Sequence, residues 1–425
     1  MPQLFQQYLL SFQGLKREIW ILAGVSLINR AGAMVIPFLS LYLTEKMGFT
    51  YGQVGWIMTS FGIGSVLGSL VGGKMTDQIG FYPVILLSLF GGGIGLIFLK
   101  NLESLPTLCL GFFFVSFLTD LIRPALFVGI DAYSRKENKT RSITLIRLAI
   151  NLGFSIGPAT GGLLISQWGY STLFWVDGIS CMLAAMYFGI ALQTKIVKSN
   201  AKYEKQGSAS PYRDQPYLVF MLSLALFSII FIQYFSTVPL FYRENHLFSE
   251  KTIGLLMSMN GLLIFILEMP LVNALEKNKK FSKLLIMNIS GFMVIGSFLV
   301  LIFGPNFAWL AAGMALLSIG EMLMFPFSNA VAMERAAGKK QGEYMALYAI
   351  AFSFAHLFGH NLGLQSIKLF GFNTSWWIMV IGLHISFGLL YLSFKMNKRQ
   401  KKKQDTRLLT KQKKLQETPK INSPE

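Results

Sequence analysis

The chain of 425 residues is poor in cysteine, histidine and acidic residues, with two Cys, four His and 20 Asp plus Glu. Both cysteines, Cys109 and Cys181, lie inside apolar runs, so a disulfide framework or a cysteine-based metal site has no support. Charged residues make up 14% of the chain against 53% hydrophobic residues, and the mean hydropathy is +0.51. Neither a water-exposed globular surface nor a disordered polymer fits these values. The composition is that of a membrane protein.

The sequence also lacks the motifs of soluble catalysis. It has no P-loop, no dinucleotide-binding fingerprint on a strand-turn-helix unit and no nucleophile elbow. We therefore expect neither an enzyme nor a bound cofactor. Without an ATP site, an ion gradient is the expected source of energy.

Long apolar stretches, by contrast, are abundant. A helix needs about 20 mostly apolar residues to cross a bilayer. The chain divides into twelve such stretches, predicted at residues 19–43, 51–73, 83–100, 107–133, 142–165, 172–193, 215–241, 251–274, 283–302, 307–332, 344–367 and 374–394. The predicted fold class is an all-α polytopic membrane protein with twelve transmembrane helices.

The basic residues are distributed unevenly among the connecting segments, and the formal net charge is +18. If the N-terminus is cytoplasmic, 30 of the 38 Lys and Arg residues lie in cytoplasmic segments, five in outer segments and three inside spans. The positive-inside rule then predicts that both termini lie in the cytoplasm, with the spans in the inner (plasma) membrane. Because the charges are confined to short segments and to the tail, we exclude nucleic acid as a partner.

The tail, residues 395–425, contains eleven basic residues and three acidic residues. We expect it to be disordered and to contact anionic lipid at the membrane surface.

The chain divides into two halves that resemble each other. Gly55, Met58 and Gly62 recur 199 residues later as Gly254, Met257 and Gly261. Pro37, Pro124, Gly157 and Gly161 recur 202 residues later as Pro239, Pro326, Gly359 and Gly363. The pattern indicates a parallel duplication of a six-span unit, with a substrate site between the halves near the midplane. The predicted units are an N-terminal bundle at 1–194, a basic cytoplasmic linker at 195–214 and a C-terminal bundle at 215–394.

Two local motifs accompany the duplication. Gly73, Asp77 and Gly80 lie in the predicted loop between the second and third spans. Residues 153–162 of the fifth span follow the pattern Gly-x-x-x-Gly-Pro-x-x-Gly-Gly. Glycines four residues apart let a neighbouring helix pack closely, and Pro158 removes a backbone donor and permits bending. Together these features resemble the major facilitator superfamily, and in particular its 12-span drug/proton antiporter branch, over nearly the whole chain except the basic tail.

The resemblance implies two pseudo-symmetric six-helix bundles that rock about a central site. It implies a gating role for Asp77, with Asp131 and the inner-loop residues Arg135 and Arg141 as candidate partners. The gating candidates are Gly73, Asp77, Gly80, Asp131, Gly153, Gly157, Pro158 and Gly161. The alternatives are a glycine-rich turn with a solvated Asp and ordinary packing of small residues.

Ionisable residues inside predicted spans are costly and usually line a pathway or form pairs. The proton-coupling candidates are Asp120, Glu321 and Glu268, of which we prefer the first two. Asp120 lies three residues from Arg123, so a structural pair is the alternative for it. Glu268 lies near the predicted inner end of its span, where a solvated role is equally compatible with the sequence. The candidates for substrate binding or charge relay are Arg30, Arg123, Arg147, Asn29, Asn151, His356 and His360.

Two further polar features have simpler interpretations. His356 and His360 are four residues apart on the eleventh span, but no carboxylate pattern accompanies them, so we expect no metal site. Asp177 lies near the predicted outer end of the sixth span, where we expect it to face water.

These observations predict a secondary active transporter that works by alternating access. The preferred hypothesis is proton-coupled export of small amphipathic compounds by a monomer, with a small-molecule solute, protons and lipid as its partners. One alternative is proton-driven uptake of a carboxylated nutrient such as a peptide, an amino acid or a siderophore-like solute. Another is a membrane receptor that does not transport.

Overall fold

The structure, a computed structural model, describes residues 14–135, 138–192, 210–277, 281–336 and 341–417, and within these ranges every regular element is helical. The N-terminal half contains six spans. They are α1 (Arg17–Gly32 and Val35–Leu41, continued by a π-helical turn at Tyr42–Lys46), α2 (Tyr51–Ile79), α3 (Phe81–Leu99), α4 (Leu105–Asp120 and Ile122–Tyr133), α5 (Lys139–Trp168) and α6 (Ser171–Ala191).

The C-terminal half repeats this arrangement. Its spans begin with α7 (Gln215–Phe231, a 3-10 turn at Ile232–Phe235, and Val238–Glu244), α8 (Glu250–Lys277), α9 (Lys283–Phe303) and α10 (Phe307–Ala336). The remaining chain forms Gln341–Phe354, a π-helical turn at Ala355–Gly359 and a helix at His360–Glu417.

Eleven helical stretches among the described residues are long and apolar enough to cross a membrane, and the last of them, at Glu343–Gln400, is 58 residues long. A helix of that length would extend about 87 Å, far more than the roughly 30 Å of a bilayer core. Gly371 interrupts it with φ 73° and ψ 174°, which are values that favour glycine. The stretch is therefore two spans, α11 up to residue 370 and α12 from residue 372, and the prediction of twelve spans is confirmed.

The spans begin where the sequence supplies helix caps. Thr50 and Gln53 form a capping box at the start of α2, and Ser104 caps α4 by accepting from the backbone N–H of Thr107. Ser282 caps α9 in the same way. Such caps satisfy backbone donors that the first helical turn leaves unpaired.

The last helix differs from the sequence prediction, because it continues to Glu417 where we expected a disordered tail from residue 395. The segment from 395 to 417 contains neither Gly nor Pro and is rich in Lys, Arg and Gln, which are good helix formers. Arg335 of α10 also stabilises the beginning of the segment 395–417, since it donates to the side chains of Asn397 and Gln400. Most of the predicted linker at 195–214 lies outside the described residues.

Because successive spans run in opposite directions, their connections alternate between two sides. The basic side is the one that carries residues 80, 134–135, 138, 210–214, 281–282 and 395–417. The opposite side carries residues 47–50, 100–104, 169–170, 245–249, 304–306 and 371.

The two halves meet along two equivalent seams, α2 against α11 and α5 against α8. A Cβ added to Gly62 of α2 would lie 2.3 Å from the carbonyl oxygen of His356, and one added to Gly261 of α8 would lie 2.5 Å from the backbone nitrogen of Ser155. Gly55 and Gly254 make the corresponding contacts with Asn361 and Pro158. The repeated glycines recognised in the sequence thus serve repeated contacts.

The duplication also extends to the packing within each half. An added Cβ on Gly157 would lie 3.3 Å from the carbonyl oxygen of Ala31 in α1, and one on Gly359 would lie 3.2 Å from that of Ile229 in α7. The first span of each half, α1 and α7, is broken at a similar place, at residues 33–34 and 236–237 respectively. The fold is therefore two pseudo-symmetric six-helix bundles, as the sequence predicted.

Candidate functional site

An arginine cluster, formed by Arg30 and Arg123 together with Asp120, lies in the N-terminal half. Asp120 is buried where α4 is interrupted, and its Oδ1 accepts from Nε of Arg123 at 2.7 Å. Its other oxygen accepts from the hydroxyl of Ser65 in α2. Asp120 thus neutralises a neighbour on its own helix, which is the structural role that the sequence left as the alternative for it.

The Arg123 side chain interacts with residues of both halves. It is 44% exposed, yet it interacts electrostatically both with Arg30 of α1 and with His356 of α11. These two residues belong to different halves. A side chain near both of them lies in the space between the halves.

Arg30 is partly buried just before the break in α1. Its guanidinium carbon lies 5.3 Å from the centre of the Phe154 ring in α5, a cation–π contact. Among the described residues it has no hydrogen bond or ion pair through its side chain. The adjacent Asn29 donates to the sulfur of Cys181 at 3.4 Å, so this amide contributes to packing within the N-terminal half.

A carboxylate cluster, formed by Glu268 and Glu321 together with Arg147, joins the two halves. Arg147 of α5 donates to Glu268 of α8 in an ion pair, and Asn151 donates to the second Glu268 oxygen at 3.3 Å. Glu268 is only 5% exposed. The solvated helix-end role that the sequence left open for Glu268 is therefore wrong, because its carboxylate is buried in the seam between α5 and α8.

Glu321 lies beside this ion pair on α10. Asn260 of α8 donates to its carboxylate at 2.8 Å, and its charge interacts with those of Glu268 and Arg147. No Lys or Arg among the described residues forms an ion pair with it. The two carboxylates therefore share the nearby positive charge of Arg147, which belongs to the other half.

Asp177 of α6 is buried, whereas we expected it to face water. Its Oδ2 accepts from the backbone N–H of Val35 at 3.4 Å, at the start of the second segment of α1. It thereby satisfies a backbone donor that the break in α1 leaves free. Sequence reasoning missed this role, since the break in α1 was not predicted.

His356 and His360 lie at the π-helical turn of α11, against the seam with α2. Their rings are 6.0 Å apart, and the Nδ1 atom of each is buried with no hydrogen-bond partner among the described residues. Among all the residues that the structure describes, no three His, Cys, Asp or Glu side chains are arranged to hold a metal ion.

The glycine motif of α5 packs against α1. An added Cβ on Gly153 would lie 2.5 Å from Cβ of Arg30, and one on Gly161 would lie 3.2 Å from Cβ of Met34. On the other face of α5, a Cβ added to Gly254 of α8 would lie 2.2 Å from the carbonyl oxygen of Pro158. α5 is thus in close contact with a helix of each half, which is the position expected for a gating element.

The predicted gate on the basic side lies around the connection between α2 and α3. Asp77 is exposed, and among the described residues it has neither a hydrogen bond nor an ion pair. Gly80 separates α2 from α3 with a φ of 88°. Gly73 has only Pro124 nearby, 4.0 Å from its Cβ position, and Asp131 is exposed at the basic-side end of α4.

A network that the sequence did not reveal joins the halves on the opposite side. Arg243 of α7 donates to Glu45 of α1 at 2.6 Å and lies 3.4 Å from Glu250 of α8. Tyr170 donates to Glu45 at 3.1 Å and to Glu250 at 3.4 Å. Nearby, Tyr51 donates to Glu244. These six residues are termed the latch.

Two halves with equivalent seams, buried charges between them and a latch on one side define a membrane transporter that alternates between two states. The chain belongs to the Major Facilitator Superfamily, whose profile matches residues 19–360. It is thus a multi-pass membrane transporter and not an enzyme.

Similar proteins agree with this assignment. An uncharacterized MFS-type transporter, YttB from Bacillus subtilis (strain 168), is 25% identical over 391 residues, which cover 88% of this chain and 95% of that protein. A Na(+), Li(+), K(+)/H(+) antiporter from Planococcus maritimus is 20% identical and covers 87% of this chain and 94% of that protein. The crystal structure of a POT family transporter in complex with 5-aminolevulinic acid superposes with a TM-score of 0.77 at 16% identity, over 90% of this chain and 97% of that one. This last likeness concerns the fold alone.

Proposed function

We propose that the protein is a proton-coupled secondary transporter that exports small amphipathic compounds by alternating access. The observation that carries this proposal is the ion pair between Arg147, whose side chain is 52% exposed, and the buried carboxylate of Glu268, which joins the two halves. The charge of a second carboxylate, Glu321, interacts with both groups. An ion pair loses its Coulombic attraction when one partner becomes neutral. Protonation of a single carboxylate is therefore a suitable trigger for separating α5 from α8.

The coupling step follows from this arrangement. An ionised Glu268 paired with Arg147 is the form expected after proton release toward the basic side. When a proton binds to Glu268, the attraction across the seam is lost and the halves can rock. Glu321 is the second candidate for holding the proton, because Asn260 of α8 donates to its carboxylate and its charge interacts with that of Glu268. Asp120 is no longer preferred as a proton site, since its partners Arg123 and Ser65 both belong to its own half.

An aromatic cluster beside these charges supports an amphipathic solute. The Phe325 ring of α10 lies 5.2 Å from that of Phe231 and 5.3 Å from that of Phe352, which in turn lies 5.1 Å from that of Tyr348. Arg147 interacts electrostatically with Tyr348. Rings next to an arginine offer both an apolar surface and a charge to one ligand.

Two observations support export as the direction of transport. The motif at residues 153–162 of α5 resembles that of drug/proton antiporters, and one relative is named as a cation/H(+) antiporter. Uptake of a carboxylated nutrient is the second candidate. It is favoured by the side chains of Arg123 and Arg147, which are 44% and 52% exposed and could bind a carboxylate.

The charge distribution supports a cytoplasmic position for the basic side, in the inner (plasma) membrane. In this orientation the helix at 395–417 projects from the cytoplasmic face, where anionic lipid attracts its basic residues. The two halves of one chain supply both seams, so a monomer is sufficient for transport.

The proposal is tested by flux in proteoliposomes with an imposed pH gradient. A thermal-shift screen of small amphipathic compounds first identifies a solute, and its movement is then followed together with that of protons. We expect Glu268→Gln and Glu321→Gln each to abolish coupled movement, because neither variant can bind the proton at the seam. Glu103→Gln, which changes an exposed carboxylate on the opposite side, is the matched control and should behave as wild type.

The outcomes separate the candidates. Movement of solute against the proton direction supports export, whereas movement in the same direction establishes uptake instead. Proton-driven flux that survives at the wild-type rate in both glutamate variants would overturn the assignment of the carboxylate cluster.

A further inference from the structure

We infer that the transported solute carries an anionic group, which binds between Arg30 of α1 and Arg123 of α4. This inference rests on the proposed transport function and specifies the class of its substrate. It assigns different roles to the buried arginines, with Arg147 in coupling and the other two in recognition.

The first observation is that Arg30 has unused donors. A guanidinium carries five N–H donors and no acceptor. The Arg30 guanidinium lies over the face of the Phe154 ring and donates no hydrogen bond among the described residues. The two acids that influence its charge have other partners. Asp120 accepts from Arg123 and Ser65, while Asp177 accepts from the backbone of Val35.

The second observation is the proximity of two like charges. The segment of α1 that carries Arg30 packs against the segment of α4 that carries Arg123, and apolar residues of both belong to one core cluster. The two guanidinium charges also act on each other. Like charges repel more strongly in a medium of low dielectric constant than in water. An anion placed between the two guanidinium groups relieves this repulsion and satisfies donors of both.

The third observation concerns access. The Arg123 side chain is 44% exposed and Arg30 is partly buried, so both can meet a ligand in the space between the halves. His356 interacts with Arg123 from the other half, and its Nδ1 has no hydrogen-bond partner among the described residues.

The chemistry of the site selects the ligand class. Two planar guanidinium groups suit an oxyanion such as a carboxylate or a phosphate, which they bind through paired hydrogen bonds. The Phe154 ring beside Arg30 provides an apolar surface for the rest of the molecule. A cationic solute has less favourable partners, since Asp120, Glu268 and Glu321 already have partners in Arg123, Arg147 and Asn260.

The test is a thermal-shift and calorimetric binding screen of the full chain in detergent, without a pH gradient. The panel contains arylalkyl carboxylates, phosphates and sulfonates, each with its neutral amide or ester and its cationic amine of the same skeleton. We expect stabilisation by anionic members alone, and the preferred head group distinguishes a carboxylate from a phosphate solute.

Substitution of the arginines provides the second arm. Loss of a charge-assisted hydrogen-bond donor should weaken binding about tenfold to a hundredfold. We expect this for Arg30→Gln and for Arg123→Gln combined with Asp120→Asn, the second change being made so that no unpaired buried carboxylate remains. Arg30→Lys should retain part of the affinity. Lys100→Gln is the matched control, because Lys100 also lies over an aromatic ring, at 4.6 Å from Trp175, but on the opposite side.

Equal stabilisation by anionic and uncharged members of the panel would overturn the inference. An unchanged dissociation constant in a folded Arg30→Gln variant would do the same. Because Glu268→Gln and Glu321→Gln should keep anion binding while losing coupled flux, the two proposals fail separately. Anion binding without coupling removes the proposed function, and coupled flux of an uncharged solute removes this inference.

Discussion

The two sides of the protein differ in how their charged residues are paired. On the opposite side, the ion pairs and hydrogen bonds of the latch run from one half to the other, as between Arg243 and Glu45. Toward the basic side, the described pairs of Arg335 with Asp214 and of Lys283 with Glu334 lie within the C-terminal half, and the ion pair of Arg147 with Glu268 joins the two halves. The difference indicates a transporter that is closed by a network on the opposite side and held by the Arg147–Glu268 pair toward the basic side.

The apolar core shows the same difference. One core cluster runs continuously from the opposite-side part of the N-terminal half into the C-terminal half. The basic-side part of the N-terminal half has a separate cluster, against which Phe265 and Met269 of α8 pack. Burial of apolar surface therefore reinforces closure on the opposite side and contributes less on the basic side.

The latch combines several weak interactions. Exposed ion pairs are each worth about 0–1 kcal/mol, and the latch residues are half-buried or exposed. Burial and the neighbouring carboxylates of Glu45 and Glu250 raise the pKa of Tyr170 above its ordinary value, so its hydroxyl stays protonated and donates to both. A closure made of such contacts can be reversed, as alternating access requires.

On the basic side, Arg335 holds one half together. It donates to both oxygens of Asp214 at 2.8 and 2.6 Å, and Tyr344 donates to the same carboxylate at 2.7 Å. Together with Asn397 and Gln400 this cluster connects α7, α10, α11 and α12. The C-terminal half should therefore move as one rigid body when the latch opens.

The largest effect on this comparison is expected from Arg243→Gln. The change removes the positive charge shared by Glu45 and Glu250, so the halves should separate on the opposite side. The measurement is the distance between spin labels at Lys46 and Leu247, two exposed positions in different halves. We expect a second, longer distance to become populated, and solute flux to fall because the balance between the two states is disturbed.

Lys283→Gln is the matched control for Arg243→Gln. It removes an ion pair of similar exposure that lies within the C-terminal half, and the label distance should not change. If Arg243→Gln left the distance distribution unchanged, or if Lys283→Gln shifted it equally, the latch would have no special role in closure.

An intermediate effect is expected from Asp77→Asn. In the described structure Asp77 has no partner, so we expect its implied gating role to act in the other state, the one open on the opposite side. The variant should therefore keep the wild-type label distance in the resting protein but transport more slowly, since the other state is less stable. Initial flux rates at saturating solute provide the measurement. The control is Glu334→Gln, which changes an exposed carboxylate on the same side that pairs within the C-terminal half. A wild-type rate in Asp77→Asn would contradict the gating role.

Much of the fold could be predicted from the sequence, because lipid imposes a simple rule on spans and loops. Each span is an apolar stretch of sufficient length, and the repeated positions, such as Gly62 and Gly261, mark contacts that recur in both halves. The pairing of charges was less accessible. Glu45 and Arg243 are 198 residues apart in the chain, and nothing local to either identifies its partner.

The roles of the candidate site residues stay predictions, but the structure changes the order of preference among them. The sequence selected Arg30, Arg123, Arg147 and the carboxylates because ions inside spans require partners. The structure favours Glu268, whose partner Arg147 belongs to the other half, over Asp120, whose partner lies three residues away. Asp177 was misplaced because its role depends on a break in α1 that residues near Asp177 do not announce.

The smallest effect is expected from His246, which lies in the opposite-side loop between Arg243 and Glu250. Its ring lies 5.1 Å from that of Phe241 and 5.4 Å from that of Phe248, and burial lowers its pKa below the ordinary value. Above the ordinary value, about 6.5, histidine is neutral in both the folded and unfolded chains. As the pH falls below it, the unfolded chain binds the proton more readily, so the stability of the folded loop decreases.

The charge that His246 gains at low pH also lies near Arg243 and disfavours the closed latch. Lowering the pH from 7.5 to 5.5 should therefore slightly increase the population of the longer distance between Lys46 and Leu247, and His246→Gln should remove that increase. A pH response that is equally large in His246→Gln would assign it to the latch carboxylates instead.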